Sequence, residues 1–297
     1  MADFTICLTG HTGYVGSHFI DFLIKSGRRP FIIGRQNSKI EPITGCSTAE
    51  IWENSTDLTK QLSVLKNPII INIAGYFASD HKSVNLKNLI DSNFNYPLTI
   101  MEAISDIRDP KIVNIGTNWE FDEIGDHEPA NLYAQLKACN ADVSEWYVKN
   151  YGFKVIHLKL NDTFGGKDNR TKLMPLLKSH YKNRTVAELN FSSQIINLLH
   201  ISDVCHGLLW AAKRTNGFLP GTSETAFLLA KENVSLLELV KKINNLAPEK
   251  LYANFQGDYP DHKSLRTIWN EAPLLAGWHQ VMELDQALKN YFLEHSK

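Results

Sequence analysis

The sequence predicts an α/β fold, a doubly wound parallel sheet with a smaller C-terminal lobe, and three observations carry that prediction. Apolar runs rich in β-branched residues alternate with helix-period stretches through the first half. A glycine-rich turn joins the first of these runs to the first helical stretch. The second half loses the alternation and breaks into short segments between turn clusters. With 297 residues the chain has room for a sheet domain and an appended lobe.

In order, buried strands are expected at residues 4–8, 30–33, 68–73, 111–115 and 154–160. Helices are expected between them at 13–25, 58–65, 88–104 and 132–149. In the last of these, Leu132, Leu136, Ala138, Val143, Trp146 and Tyr147 recur mostly at helical spacing. Strand and helix alternating in this way give right-handed βαβ units and a parallel sheet. Further helices are expected at 173–181, 203–213, 236–246 and 284–295, with turns at 165–168, 217–221 and 257–260. There is no internal repeat and no flexible linker. Residues 1–160, with about 195–230, are assigned to the sheet domain. Residues 161–194 and 231–297 are assigned to a lobe that covers the substrate.

Composition removes several classes of function. Hydrophobic residues make up 43% and charged residues 21%, as in ordinary globular proteins. The 31 Lys and Arg against 32 Asp and Glu leave a net charge of −1, without the basic footprint of a nucleic-acid binder. No apolar run approaches the roughly 20 residues that span a bilayer, so no membrane partner is expected. The opening MADFTICLTG lacks a basic segment before its apolar stretch, so a secretory signal is not expected. Cys7, Cys46, Cys139 and Cys205 are scattered and read as reduced thiols of a cytoplasmic protein.

The strongest local pattern is Thr9-Gly10-His11-Thr12-Gly13-Tyr14-Val15-Gly16, placed between a strand and a helix. Glycines at this spacing permit a tight turn, let the main chain approach a pyrophosphate and seat the helix against the strand. The phosphates then meet open N–H groups at the positive end of the helix. An NAD site usually carries a carboxylate about 20 residues on. Here the second strand ends Ile33-Gly34-Arg35-Gln36-Asn37, with no acid before Glu41. Arg35 suits a 2′-phosphate and favours NADPH over NADH; Arg28, Arg29 and Lys39 are near enough in sequence to serve the same end.

Tyr133 and Lys137 stand four residues apart and share one helix face. An ammonium beside a phenol lowers its pKa by favouring the phenolate, which would fit Tyr133 for acid–base work. The pair follows the strand at 111–115, whose end carries Gly116-Thr117, and ligands bind at strand carboxyl ends in open α/β sheets. The Thr117 hydroxyl would bond the same substrate oxygen that Tyr133 protonates.

With these motifs in place, the chain resembles an extended short-chain dehydrogenase/reductase of the branch that acts on nucleotide sugars, on a Rossmann sheet. Asp57-Leu58 matches the family's adenine-contacting Asp-Leu, and Asn72-Ile73-Ala74-Gly75 matches the segment lining the cofactor. Asn93 matches a helix asparagine, Asp203-Val204 the start of a later helix, and Ala276-Gly277-Trp278 a Leu-Gly-Trp near the C-terminus. The resemblance implies catalysis by Thr117, Tyr133 and Lys137. It implies cofactor contacts from Gly10, Thr12, Gly13, Tyr14, Val15, Gly16, Arg35, Asp57, Leu58, Ala74, Gly75 and Asn93, as well as Tyr133 and Lys137. Substrate contacts fall to Tyr76, Asn118, Asp162 and Arg266. It also implies a homodimer paired through the 132–149 helix.

Departures from the family pattern narrow the activity. Asn118 and Trp119 stand where the family's dehydratases carry an Asp-Glu pair, so dehydration is not expected. A 4-keto reductase using NADPH, or a 4-epimerase holding NAD, remains. The segment from Leu158 to Gly165 and that from Asn114 to Thr117 look most like synthases that reduce CDP-4-keto-deoxyhexoses, the CDP-abequose and CDP-paratose synthases among them. That resemblance implies a deoxysugar made for a surface polysaccharide. Ile196 occupies the place of the family's diphosphate-binding arginine. Arg170, Lys172, Lys178 or Arg266 would take that role, Arg266 foremost. His200 and His206 straddle Asp203 without a further ligand, so no metal is expected. His11 either stacks near the cofactor or faces solvent, and Trp146, Trp210 and Trp278 read as core aromatics.

Overall fold

The apolar run at Thr5–Thr9 forms β1, and the glycine turn after it feeds α1 (Tyr14–Lys25). The computed structural model describes residues 4–35, 46–51, 56–78, 82–258 and 268–293. Over these the chain continues through β2 (Phe31–Arg35), β3 (Ser47–Ile51), α2 (Thr56–Ser63), β4 (Pro68–Asn72), α3 (Ser83–Ile90) and α4 (Tyr96–Ser105). Then come β5 (Lys111–Thr117), α5 (Leu132–Tyr151), β6 (Lys154–Leu160), β7 (Asp162–Phe164), α6 (Leu173–Asn183) and β8 (Val186–Phe191). The order ends with β9 (Ile195–His200), α7 (Ile201–Asn216), β10 (Thr222–Leu228), β11 (Asn233–Ser235), α8 (Leu236–Leu246), β12 (Tyr252–Gly257) and α9 (Leu284–Leu293).

Seven parallel strands lie in the order β3-β2-β1-β4-β5-β6-β10. The order reverses between β1 and β4, and the crevice above their carboxyl ends is where such sheets take ligands. Phe19, Ile20 and Leu23 of α1 pack with Val204, Leu208 and Ala211 of α7 on one face of the sheet. Leu58 and Leu62 of α2, Ile100 and Met101 of α4, and Tyr147 of α5 cover the other. A third core gathers α6, α8 and α9 around β9 through Leu177, Leu239 and Leu288. Strand β9 faces two cores, with Ile196 and Leu198 in the third and Leu199 in the first.

The sheet is the Rossmann arrangement expected from the sequence. Strands β3 and β10 escaped the sequence pattern because they are edge strands, and Ser47–Ile51 and Thr222–Leu228 carry no long apolar run. Antiparallel β11-β9, parallel β9-β7 and the parallel pair β12-β8 were missed too: β7 and β11 have only three residues, and β8 and β12 mix polar with apolar residues. The single helix expected at 88–104 is interrupted by a π turn at Asp91–Asn95. Pro97 has no N–H to offer the carbonyl four residues back, so the helical ladder shifts there. The last helix is described to Leu293; residues 294–297 lie outside the described residues.

Two motifs far apart in sequence meet. The buried Asp203 carboxylate accepts N–H groups from Val281 (2.8 Å) and Met282 (3.1 Å), and Trp278 Nε1 donates to the Asp203 carbonyl (3.3 Å). Trp278 is core, but Trp146 and Trp210 are 52% and 40% exposed, which corrects their reading as core aromatics. Trp210 lies along the C-terminal segment and donates to the Ala276 carbonyl, while Trp146 sits on the outer face of α5 beside Tyr151.

Candidate active site

Above the switch point lies a cleft of about 380 Å³ walled by the glycine turn, the segments after β4 and at the end of β5, Tyr133, residues 160–163, Arg170 and residues 172–174. Gly10 has a φ of +72°, and a Cβ there would lie 2.7 Å from the Ala74 nitrogen. A Cβ on Gly16 would overlap the Gly10 carbonyl. Backbone and helix therefore sit at a separation only glycine allows. Gly13 caps α1 with no side-chain hydrogen bond and no acidic residue follows in the first turn, leaving the helix end electropositive. The Thr9 hydroxyl donates to Asn72 Oδ1 (2.8 Å) and accepts from the Ala74 N–H (3.2 Å), fixing β1 against β4. This cradle fits a dinucleotide.

Gly10, Thr12, Gly13, Tyr14, Val15, Ala74 and Gly75 line the cleft, and Gly16 lies beneath them in contact with Gly10. Asn93 supports the wall from the π turn. Its side-chain amide donates to the Tyr76 and Leu89 carbonyls (2.7 and 2.9 Å), and its Oδ1 accepts the Tyr76 N–H (3.2 Å). His11 is buried against the cleft, with burial pushing its imidazole pKa down, and does not face solvent.

Other expected contacts are not part of this lining. Asp57 is exposed and pairs with Lys60 at 3.6 Å, and Leu58 packs into the core behind the sheet. Gly34 lines the cleft, but the side chain of Arg35, like Lys39 and Arg266, lies outside the described residues. Arg28 stacks on Phe4 and Arg29 bonds the Arg28 carbonyl; both precede β2, at the end of the sheet opposite the cleft. They are thus the wrong candidates for a 2′-phosphate. The Tyr76 hydroxyl is turned to Asn85 (2.8 Å) in α3, and Phe77 takes the place on the wall expected for Tyr76.

Thr117, Tyr133 and Lys137 converge. Asn131 caps α5 by accepting the Ala134 N–H (3.0 Å), which sets Tyr133 in the first turn with Lys137 one turn on. Lys137 is buried, donates to the Ala74 carbonyl at 3.1 Å, and lies 6.0 Å from the Tyr133 ring centroid. Burial pushes the Lys137 ammonium down to about 8, with Glu120 drawing it up and Lys159 down. Burial, and then the Glu120 carboxylate, push the Tyr133 phenol above its ordinary range. Both act against the lowering expected from Lys137. A phenol held protonated is fitted to donate.

Thr117 ends β5 and caps a 3-10 turn at Asn118–Glu120. Its hydroxyl accepts the Trp119 N–H (3.3 Å), and its own N–H donates to Glu120 Oε1 (2.8 Å). Glu120 Oε2 pairs with Lys159 Nζ, the two side chains 1% and 3% exposed. The pair lies outside the sequence expectations, although Thr-x-x-Glu is a capping-box spacing.

The roof comes from 160–174. Asn118 and Asp162 line the cleft. Asn161, passed over in the sequence, donates to Asn197 Oδ1 (3.1 Å), and its own Oδ1 is buried without a hydrogen-bond partner. Of the four basic candidates for a diphosphate, Arg170 and Lys172 line the cleft. The Arg170 guanidinium lies 3.5 Å over the Tyr14 ring, pairs with buried Asp168 and donates to the Thr163 carbonyl (2.7 Å). Lys172 Nζ lies 4.3 Å from the Phe77 centroid and 5.3 Å from that of Trp119. Lys178 instead stacks on Tyr291 in the third core, away from the cleft. The His200 ring bonds Ser202 and His206 packs edge-on to Phe22.

Residues 6–223, which carry all of this except the last quarter of the chain, match the NAD dependent epimerase/dehydratase family. The chain belongs to that family. Among its relatives, CDP-abequose synthase of Yersinia pseudotuberculosis is 28% identical over 266 residues, 87% of this chain and 92% of its own. CDP-abequose synthase of Salmonella typhimurium is 21% identical over 211 residues, 69% and 68% of the two chains. Among solved structures, UDP-glucose 4-epimerase from Brucella ovis in complex with NAD superposes with a TM-score of 0.79. It shares 16% identity over 98% of this chain and 97% of that one, and so supports the family fold.

Proposed function

We propose that the protein is an NADPH-dependent reductase of the C4 ketone of a nucleotide-activated 4-keto-6-deoxysugar, with CDP the first choice of nucleotide. The arrangement at the end of β5 carries this reading: Thr117, Tyr133 and Lys137 stand together while Asn118 and Trp119 follow Thr117. Glu120, the nearest acid after them, is committed to Lys159 and the Thr117 N–H, so no carboxylate pair is available there to eliminate water. The names of the CDP-abequose synthases, at 28% and 21% identity, support the nucleotide and the reaction.

The dinucleotide, when bound over Gly10, Gly13 and Gly16, supplies the hydride for C4. Tyr133 gives its phenolic proton to the oxygen that becomes the hydroxyl, and Thr117 bonds the same oxygen. Lys137, fixed by the Ala74 carbonyl, orients the nicotinamide ribose. Asn161 Oδ1 offers an acceptor to a sugar hydroxyl, with Asp162 beside it, and Lys172 and Arg170 supply positive charge for the diphosphate. Arg266 and Arg35 keep their roles in this reading, the second toward the 2′-phosphate. We place the enzyme in the cytoplasm, in synthesis of a deoxysugar for a surface polysaccharide. Four free cysteines fit that placement, and among the described residues no helix is long and apolar enough to cross a membrane. Exposed Trp146 and Tyr151 on α5 support a homodimer paired through that helix.

The second reading is an NAD-dependent 4-epimerase, favoured by the NAD held in the Brucella ovis structure. Titration with NADPH and NADH, followed by nicotinamide fluorescence, separates the two. One charge-assisted contact from Arg35 to a 2′-phosphate should favour NADPH by about 10- to 100-fold. Preference for NADH, or a dinucleotide that co-purifies and does not exchange, would move the epimerase to the front.

A further inference from the structure

We infer that Glu120, with Lys159 as its buried counter-ion, is a positioning residue that holds Thr117 at the substrate oxygen. The inference rests on the reductase reading of the same site. Neither Glu120 nor Lys159 lines the cleft, so any effect on reaction passes through the groups they touch. Glu120 Oε1 fixes the Thr117 N–H at 2.8 Å, closing the capping box that turns the chain at the end of β5. Lys159 reaches the same carboxylate from β6, the strand paired with β5, where Thr117 lies opposite Leu160. Gly116 leaves the space: a Cβ there would lie 2.9 Å from Lys159 Nζ and overlap the Glu120 carboxylate.

A buried ion pair is a weak source of stability, and apolar residues of like volume often serve a core as well. What an apolar pair lacks is an acceptor for the Thr117 N–H and a charge beside Tyr133 and Lys137. Among the described residues, Glu120 acts on Lys159 from β6 and on Lys137 and the Tyr133 phenol from α5. Glu120 favours the protonated forms of Tyr133 and Lys137, and Lys159 opposes it at Lys137.

The test compares Glu120→Ala, Glu120→Gln and the double variant Glu120→Gln/Lys159→Met. The last leaves no lone buried charge, which guards against simple failure to fold. The substrates are CDP-4-keto-6-deoxyglucose and NADPH. Glu120→Ala should lose about 100-fold in kcat, the cost of a displaced reacting group. KM and the NADPH Kd should stay within about twofold, since ground-state binding is untouched. Glu120→Gln, which keeps an acceptor for Thr117, should recover most of kcat but move the alkaline limb of kcat to lower pH. The double variant should move the limb back, because removing Lys159 offsets the loss at Lys137.

Two readouts need no turnover: the Lys137 titration midpoint by NMR of labelled lysines, and the amide exchange of Thr117. The midpoint should fall from about 8 in Glu120→Gln and return toward it in the double variant. Exchange at Thr117 should quicken in Glu120→Ala and stay slow in Glu120→Gln. Wild-type kcat, pH profile, midpoint and exchange in folded variants would overturn the inference, as would equal losses in kcat, KM and Kd. If the wild-type protein leaves the CDP sugar unreduced, the reductase reading fails, and midpoint and exchange still decide the place of Glu120.

Discussion

The floor of the cleft is positioned by sheet register and contacts between neighbouring strands and helix, whereas its roof is held by side chains reaching across long stretches of sequence. On the floor, parallel register sets Thr9 opposite Asn72 and Asn72 opposite Asn114, and the Lys137 ammonium is pinned to the Ala74 carbonyl. In the roof, the Tyr14 hydroxyl crosses 151 residues to the Gly165 carbonyl (2.8 Å), and the Arg170 guanidinium stacks on the Tyr14 ring. The Asn197 amide ties Asn161 to the Ala230 main chain. A hydrogen-bonded sheet holds reacting groups to a fraction of an ångström, which chemistry requires. A roof of side-chain contacts is free to differ between relatives and so to choose among substrates. Floor changes should therefore appear in kcat and roof changes in KM.

Tyr133→Phe is the severest trial of that division. The change deletes one oxygen from the floor and leaves the ring against Phe77, 5.6 Å away between centroids. Loss of a general acid should lower kcat by about 1,000-fold, with KM for the nucleotide sugar and the NADPH Kd nearly unchanged. Steady-state kinetics beside a fluorescence titration reads all three. Retention of most of the turnover with cofactor bound would remove Tyr133 from the mechanism.

Lys172→Met tests the roof. The ammonium rests on Phe77 and Trp119, rings that methionine also packs against. A lost charge-assisted contact to a diphosphate should raise KM by about tenfold or somewhat more, with kcat little changed. A fall in kcat at constant KM would show that roof and floor are not separable.

The same contrast explains what the sequence allowed. Floor elements announce themselves locally: Gly10, Gly13 and Gly16 at fixed spacing, Tyr133 and Lys137 one turn apart, Thr117 at the end of an apolar strand. Each is legible because strand, turn and helix are contiguous in the chain. The roof depends on β7, β9 and β11, strands of three to six residues that pair across distant sequence and show no period of their own. Hence the sequence pointed to Asp162 but not to its neighbour Asn161, and it offered four basic residues for the diphosphate without a means to rank Arg170 and Lys172, which reach the wall, above Lys178, which does not. Glu120 was hidden for another reason. Its spacing from Thr117 was readable, but its partner Lys159 comes from another strand and is joined to it only by the parallel register of β5 and β6.

The smallest effect is the pH dependence of the floor. Burial holds the Lys137 ammonium at about 8, below its ordinary 10.5. In the cofactor-free protein that charge is lost as pH rises through about 8, so the pull of Lys137 on an anionic or polar partner weakens there. Turnover should peak below that value and decline above it, by several-fold over the first pH unit at saturating substrate. Stability should move the other way. Between about 8 and 10.5 the unfolded chain binds more protons at this lysine than the folded one, so this group alone makes stability rise with pH across that window. Melting curves of the wild type and Lys137→Met at pH 7.5 and 9.5 isolate that contribution as the difference of two slopes. Lys172→Met, a roof change, should keep the wild-type alkaline limb in kcat. If that limb moved with Lys172 and stayed put in Glu120→Gln, the titrating group would belong to the roof, and the assignment of chemistry to the floor would have to be reversed.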